Sequence, residues 1–424
     1  MVRTLEISVE VNGKEIRVGQ ITGTAPRDAC FVYFPEYIDA GNRPISISLP
    51  LQEDPFTADE TRNFFEGLLP EGFARKSVSE WIHADEDDYL TILQALGREC
   101  LGAIRVSSSA EAGGGYEALS VEEMKALARE GIQRSTDLVV QAHLSLTGAS
   151  GKVGLYYDST DDQWYLPKGI APSTHIVKQS HVRLGGIVMN EQLSMMTARA
   201  LGLEVPESFI VNTGGGKDED ILFATKRYDR VFPGQPEMTD GLPRPLRLHQ
   251  EDFAQALGIR AREKYEQPGQ DYLRRIFEML RGFSSDPIND QLKLWDMLIF
   301  DYLIGNTDNH IKNLSLLYSP DMKSIRLAPA YDIVSTCVYR ESSRQMAISI
   351  GGMFDIDRIS RKHFETAAAE AGLGKGMAMR RFDRMADRFE NALREGAAAL
   401  SEAGFEASDA ICDKILQSGG YRNL

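Results

Sequence analysis

The stretch that most limits what this chain can fold into is residues 294–313. An apolar helical run stops at Gly305 and opens into Asn306-Thr307-Asp308-Asn309-His310-Ile311-Lys312-Asn313. A glycine after the last periodic apolar residue ends a helix, so the polar cluster is expected on a loop carried by a buried helix. Nineteen residues past Asn313 comes Asp332, preceded by Tyr331. Asp308, Asn313 and Asp332 supply a carboxylate able to take a proton, an amide oxygen and a second carboxylate able to hold a hard cation. An Asp-x4-Asn pair alone is commonest in a plain turn rich in Asp and Asn, so the weight rests on what else the chain carries.

The interval of five between Asp308 and Asn313 is that of the catalytic loop of protein kinases. There the Asp accepts the proton of the attacking hydroxyl, while the Asn and a later Asp hold Mg²⁺. Two further parts of such a site occur upstream. Residues 143–157 read as strand, small-residue turn, strand, and Gly148-Ala149-Ser150-Gly151 lets backbone N–H groups approach a phosphate. The pattern is not that of a P-loop NTPase, because Leu146 stands at the first glycine position and Val153 follows Lys152. By itself it reads as a hairpin turn. Lys178 ends the apolar β-like segment His175-Ile176-Val177, where a kinase places the lysine that grips the α and β phosphates. A helix is expected from Asn190-Glu191 through Leu203, with Glu191 as the acid that pairs with such a lysine.

With these parts in this order, the chain resembles the HipA family of serine/threonine kinases, the toxin halves of bacterial type II toxin–antitoxin pairs. The resemblance runs over nearly the whole chain. Segments 44–51, 63–71 and 93–103 resemble the family's N-terminal subdomain. Ser145-Leu146-Thr147-Gly148-Ala149-Ser150-Gly151-Lys152, residues 167–178, residues 305–313 and Pro329-Ala330-Tyr331-Asp332 resemble its kinase core. It implies an α+β, protein-kinase-like fold of two lobes. Residues 1–106 would be the N-terminal subdomain, 107–137 a linker with a short helix, 138–249 the small lobe with the phosphate loop, and 250–424 a helical lobe.

Residue by residue, the resemblance makes Asp308 the catalytic base, Asn313 and Asp332 the Mg²⁺ ligands and Lys178 the phosphate-gripping lysine. It sets His310 and Lys312 beside the phosphates of ATP, Tyr331 near the nucleotide and Lys152 in the phosphate loop. Gln250-Glu251-Asp252-Phe253 resembles the hinge that receives adenine through backbone groups and the Glu251 side chain. Ser145 falls where the family autophosphorylates, and a phosphate there adds about −1.5 to −2 charges that would hold the loop out of the ATP site. Family members usually carry Gly-Ala-Gln before the loop lysine, whereas Ser150 stands here, which makes Ser150 the alternative modification site. The implied partners are a helix-turn-helix antitoxin dimer of the HipB kind, operator DNA through that antitoxin, and a protein substrate such as an aminoacyl-tRNA synthetase. Two other readings share these residues: an ATP-binding corepressor that transfers nothing, and a small-molecule phosphotransferase.

The net charge of −15 argues against DNA binding by the chain alone and suits a basic partner. The four cysteines (Cys30, Cys100, Cys337, Cys412) lack metal spacing and read as reduced thiols, so a cytoplasmic setting is expected. No run approaches about 20 apolar residues, and no membrane span is expected. The first 106 residues read as β-rich and then helical from Thr57 to Leu96. Ala110 to Tyr116 is Gly-rich and reads as a linker, and Ser120-Val121-Glu122-Glu123 as a capping box. The acidic run 85–88 is read as a helix cap, Met195-Met196 as core, and His175 and His181 as structural residues. Helical periodicity is strong over 272–283 and 291–304.

Overall fold

The computed structural model describes residues 2–107, 113–143, 145–146, 151–180 and 184–424. The chain divides into two compact units: residues 1–179, 224–261 and 317–324, and residues 180–223, 262–316 and 325–424. These units cut the chain differently from the expected boundaries, because residues 1–106 share a unit with the Lys178 strand.

The first unit opens on an antiparallel sheet in the order Cys30–Tyr33, Lys14–Gly23, Arg3–Val11, Ile104–Ser107. Leu5, Ile7 and Val9 alternate along one strand and are fully buried, as the two-residue period of a strand requires. The stretch expected to be helical splits into Ala58–Phe65, Gly72–Trp81 and Tyr89–Leu96. Asp88 of the acidic run is the N-cap of the third, accepting from the Thr91 N–H. Ser120 and Glu123 form the expected capping box on Val121–Glu130, and a further helix, Ile132–Gln141, follows directly.

A second sheet runs Gly114–Ala118, Gln163–Gly169, Lys152–Asp158, His175–Gln179, each neighbour antiparallel. It corrects two expectations. The described part of the supposed linker is an edge strand. A Cβ on Gly114 would lie 2.4 Å from the Ala171 nitrogen, and one on Gly115 2.6 Å from Asp240 Oδ2. Glycine there serves close approach rather than flexibility. Ser145 and Leu146, expected in a strand, lie outside regular structure, and the Ser145 N–H donates to the Glu99 carbonyl at 2.8 Å.

Glu99 is also the centre of a buried ionic network within this unit. Its Oε1 accepts from Arg227 Nη1 (3.1 Å), Arg230 Nη2 (2.9 Å) and the Ser173 N–H and Oγ (both 3.1 Å). Its Oε2 accepts from Arg247 Nη2 (2.7 Å) and Nε (2.9 Å). Asp229 holds Arg227, and Glu10 accepts from the Arg247 backbone N–H and side chain. Three guanidiniums thus face three carboxylates, all buried. Burial alone would raise the Glu99 carboxyl, but Arg247, Arg230 and Arg227 outweigh it and hold it well below the usual range. Glu10 and Glu99 come from the N-terminal hundred residues and their partners from beyond residue 170, so the network ties the two parts of the unit together.

The second unit is mainly helical: Ile187–Ala200, Tyr272–Phe283, Pro287–Ile304, Arg361–Glu370, Lys375–Glu402 and Ala407–Ser418. The helix expected to start at Asn190 starts at Ile187 and ends at Ala200. Met195 is buried in it, as expected. The Pro287–Ile304 helix begins with Pro287 at its first position and is buried on every face from Met297 onward. Gly305 ends it at φ +79, and a Cβ there would stand 2.9 Å from both Cys337 Cβ and Gly419 Cα. The left-handed turn and the crowding both call for glycine. All four cysteines are free thiols, three of them buried. Among the described residues no helix is long and apolar enough to cross a membrane.

Candidate active site

The loop after Gly305 is built from below. Asp301, in the last turn of its helix, is 3% exposed. Its carbonyl accepts from the Asn306 N–H (2.8 Å), its Oδ1 from Asn306 Nδ2 (2.8 Å) and its other oxygen from Asn309 Nδ2. Burial pushes the Asp301 carboxyl up to about 7. The Thr307 N–H donates to Thr336 Oγ1 (2.8 Å), and the Thr307 carbonyl accepts from the Ala347 N–H (2.9 Å). Beyond the tip, the Asp308 carbonyl accepts from the His310 N–H (2.8 Å) and from Asn313 Nδ2 (3.1 Å). Thr307, His310 and Lys312 are buried while Asp308 is exposed, so the loop presents one carboxylate. Tyr265 Oη donates to its Oδ1 at 2.6 Å.

Tyr331 closes the other side of this unit's site. Its hydroxyl donates to the Lys312 carbonyl (3.0 Å) and meets Ser315 Oγ at 2.7 Å. Asp301, Asn309, Asn313 and Tyr331 line one small cavity with Leu203 and Met297. Asp332 sits at φ +57, in the left-handed region that, glycine aside, Asn, Asp and His adopt most readily. The chain beyond it is pinned by Asn190, whose side chain accepts from the Ser335 N–H (3.0 Å) and donates to its carbonyl (2.9 Å). Glu191 is buried in the same helix. The structure therefore gathers Asp308, His310, Lys312, Asn313 and Tyr331, with Asp332 next in the chain.

In the first unit, Lys152 and Lys178 are register partners on adjacent antiparallel strands. Residues directly opposite share a face of the sheet, so both lysines lie on one side of it. Gly151 marks a close approach: a Cβ would lie 2.0 Å from Gln179 Nε2 and 2.8 Å from Ser135 Oγ. Gly148, Ala149 and Ser150 lie outside the described residues, as do Thr147 and His181. Ser145 is fully buried, its Oγ donating to the Leu68 carbonyl at 2.6 Å.

The side chains of the expected hinge, residues 250–253, are engaged within the first unit. Glu251 is fully buried, accepting from Ser46 Oγ (2.5 Å), the Ile47 N–H (3.1 Å) and Tyr318 Oη (2.5 Å). A carboxyl group so engaged clamps segment 46–47. Asp252 caps Phe253–Ala256 by accepting from the Gln255 N–H, and Phe253 is buried. Burial raises the Glu251 carboxyl to about 7. Folded chains then hold a proton between pH 4.5 and 7 that unfolded chains release, so this residue's contribution to stability falls as pH rises through that window. The melting temperature of the wild type is expected to drop more between pH 5.5 and 7.5 than that of Glu251→Gln, as thermal melts at the two pH values check.

As to fit, Asn313 and Asp332 offer one amide and one carboxylate oxygen. These are hard donors of the kind Mg²⁺ takes when substrate phosphates and water complete its shell. Among the described residues no group of three or more His, Cys, Asp or Glu stands close enough to hold a metal ion. Buried His175 meets Thr174 Oγ1 at 2.8 Å and packs edge-on to Tyr157 and Trp164, the structural role expected of it. Sequence reasoning missed Asp301, Tyr265 and Glu99. Asp301 carried a signal as the one acid inside the apolar run 297–304; the other two had none in their local sequence.

Comparison with known proteins adds the lineage. The model of the HipA N-terminal domain matches residues 9–107 and that of the HipA-like C-terminal domain residues 144–393. A Sinorhizobium fredii protein named putative kinase Y4mE is 34% identical over 384 residues, 87% of each chain. The serine/threonine-protein kinase toxin HipA of Shewanella oneidensis is 26% identical, over 92% of this chain and 89% of that one. A solved complex of Shewanella oneidensis HipA, HipB and operator DNA holds a chain that superposes with a TM-score of 0.78 at 23% identity, over 99% of this chain and 97% of that one. The shared fold is α+β and protein-kinase-like.

Proposed function

Since the chain belongs to the HipA family, we propose that it is an ATP- and Mg²⁺-dependent serine/threonine protein kinase acting as the toxin of a type II toxin–antitoxin pair. The observation that carries the reading is Asp308: an exposed carboxylate between buried Thr307 and His310, already accepting a hydroxyl proton donor. In the transfer, an acceptor serine or threonine hydroxyl gives its proton to Asp308 as its oxygen bonds the γ-phosphorus. The bond to the β-phosphate oxygen breaks, and ADP leaves with the electron pair. Lys152 and Lys178 would face the phosphates, and Asn313 and Asp332 would hold the metal. Mg²⁺, when bound, neutralises charge building on the phosphate oxygens. Asp301 keeps the loop in register.

The solved complex of a relative with HipB and operator DNA supports a HipB-like antitoxin and operator DNA as partners, and a net charge of −15 suits a basic antitoxin. Growth arrest in the cytoplasm by phosphorylation of a translation component, such as an aminoacyl-tRNA synthetase, completes the reading. Ser145 is the proposed self-modification site and Ser150 its alternative. Because Ser145 Oγ is buried against Leu68, its segment must leave that position before it can accept a phosphoryl group. Ser145→Ala is expected to cost about 1 kcal/mol through the lost hydrogen bond and to prevent self-inactivation. A growth-arrest time course set beside a thermal melt checks both effects.

The deciding experiment is the intact mass of dephosphorylated protein after incubation with Mg-ATP, with Asp308→Asn alongside. A gain of one phosphate by wild type alone, mapped to Ser145 or Ser150, supports the kinase. No gain, together with nucleotide binding, favours the silent corepressor.

A further inference from the structure

Tyr265 is the residue that the proposed chemistry does not use and yet the structure places on its base. Its hydroxyl donates to Asp308 Oδ1 at 2.6 Å, its ring stands edge-on to His310 with centroids 5.2 Å apart, and Lys264 Nζ lies 5.4 Å from the ring centroid. The backbone beneath makes this placement a built one. The Glu266 N–H donates to the Ala347 carbonyl (2.9 Å), and the Ala347 N–H donates to the Thr307 carbonyl (2.9 Å). Glu266 itself is buried, accepting from the N–H groups of Tyr272 (2.9 Å) and Ser349 (2.6 Å). One residue, Ala347, therefore sets the register of the segment carrying the phenol and of the loop carrying the carboxylate. The Tyr265 side chain is nonetheless 43% exposed, so it can swing away without opening the core.

A general base must lie within about 2.6–3.2 Å of the hydroxyl whose proton it takes. The phenol meets that condition and is itself an alcohol-like donor. We infer that Tyr265 is an internal occupant of the acceptor position: its hydroxyl fills the seat on Asp308 that a substrate serine or threonine takes, and must be displaced for transfer to occur. This inference rests on Asp308 being the kinase base. Two consequences follow. With no acceptor present, the phenol holds Asp308 Oδ1 in place of an attacking water, which suppresses transfer of the γ-phosphoryl group to water. With an acceptor present, only the fraction of molecules with Tyr265 displaced is competent, and the acceptor's apparent affinity is reduced by that fraction. A hydrogen bond to a charged group is worth about tenfold or more in an equilibrium, which sets the scale of both effects.

The test uses the full-length protein as wild type, Tyr265→Phe and Asp308→Asn, with Mg-ATP and dephosphorylated casein as the probe acceptor. Phenylalanine keeps the ring packing on His310 and Lys264 and removes only the hydroxyl. Tyr265→Phe is expected to raise acceptor-free ATP hydrolysis about tenfold and to lower the KM for casein by a similar factor, with kcat held within twofold. A tyrosine that merely orients the base would instead lower kcat, and that result overturns the inference. So do unchanged KM and hydrolysis, or phosphate mapped to Tyr265, which would make it a substrate rather than a placeholder. Wild type and Asp308→Asn turning over ATP and casein at the same rate would overturn the kinase reading, and this inference with it.

Discussion

Glu99→Ala is expected to destabilise the chain by about 3–5 kcal/mol, which is a large share of the stability of an ordinary domain. Arg227, Arg230 and Arg247 each spend hydrogen bonds on the Glu99 carboxylate in a region closed to water. With the carboxylate gone, the three guanidiniums face only Asp229 and Glu10, and Glu10 is shared with Arg244, so buried positive charge goes uncompensated. Burial then disfavours every arginine left short of a partner. The expected reading is a melting temperature lower by about 10 °C, with Glu99→Gln in between because it restores shape without charge. Limited proteolysis of the variant should cut first between the N-terminal hundred residues and the rest, since that is the junction the network holds. A melt within a degree of wild type would mean that packing alone joins these parts.

Asp308→Asn is expected to cost no more than about 1 kcal/mol in the melt, because the amide oxygen can still accept from Tyr265 and its neighbours on the loop are held by Asp301 and Thr336. Phosphoryl transfer should fall by about 10²–10⁴-fold, the usual contribution of a positioned base. Growth arrest on expression should vanish with it, while nucleotide affinity, proposed above to rest on Lys152 and Lys178, should persist. The check is a transfer assay beside a nucleotide-binding titration on the same preparations. Arrest that survives the substitution would remove phosphoryl transfer as the cause of toxicity.

The sequence makes legible whatever local chemistry writes into neighbouring residues. Tyr272–Phe283 and the run ending at Ile304 stand out because helical periodicity is strong there, and Gly305 because a left-handed turn needs it. Asp308 and Asn313 were legible by spacing, and their shared turn is now visible in the bond from Asn313 to the Asp308 carbonyl. The failures share a different cause. Gly114 and Gly115 look like a linker because glycine's two uses, bending freely and letting chains come close, are identical in one dimension. The partners of Glu251, Ser46 and Tyr318, lie some 205 and 67 residues away, where no local pattern points to them. Tyr265 and Asp308 are 43 residues apart, and no periodicity links a phenol to a carboxylate across that distance.

The burial of Ser145 bears on time rather than on stability. Its hydroxyl is fully enclosed and its N–H is tied to the carbonyl of the residue at the heart of the ionic network. A group stored this way can be modified only from a locally opened state, so the rate of modification is the open population multiplied by the rate of chemistry. The proposed self-inactivation would then run as a clock whose period is set by packing around Leu68 and Glu99, not by the speed of the active site. Small changes far from ATP, in residues that never touch a phosphate, would lengthen or shorten the interval for which the toxin stays armed.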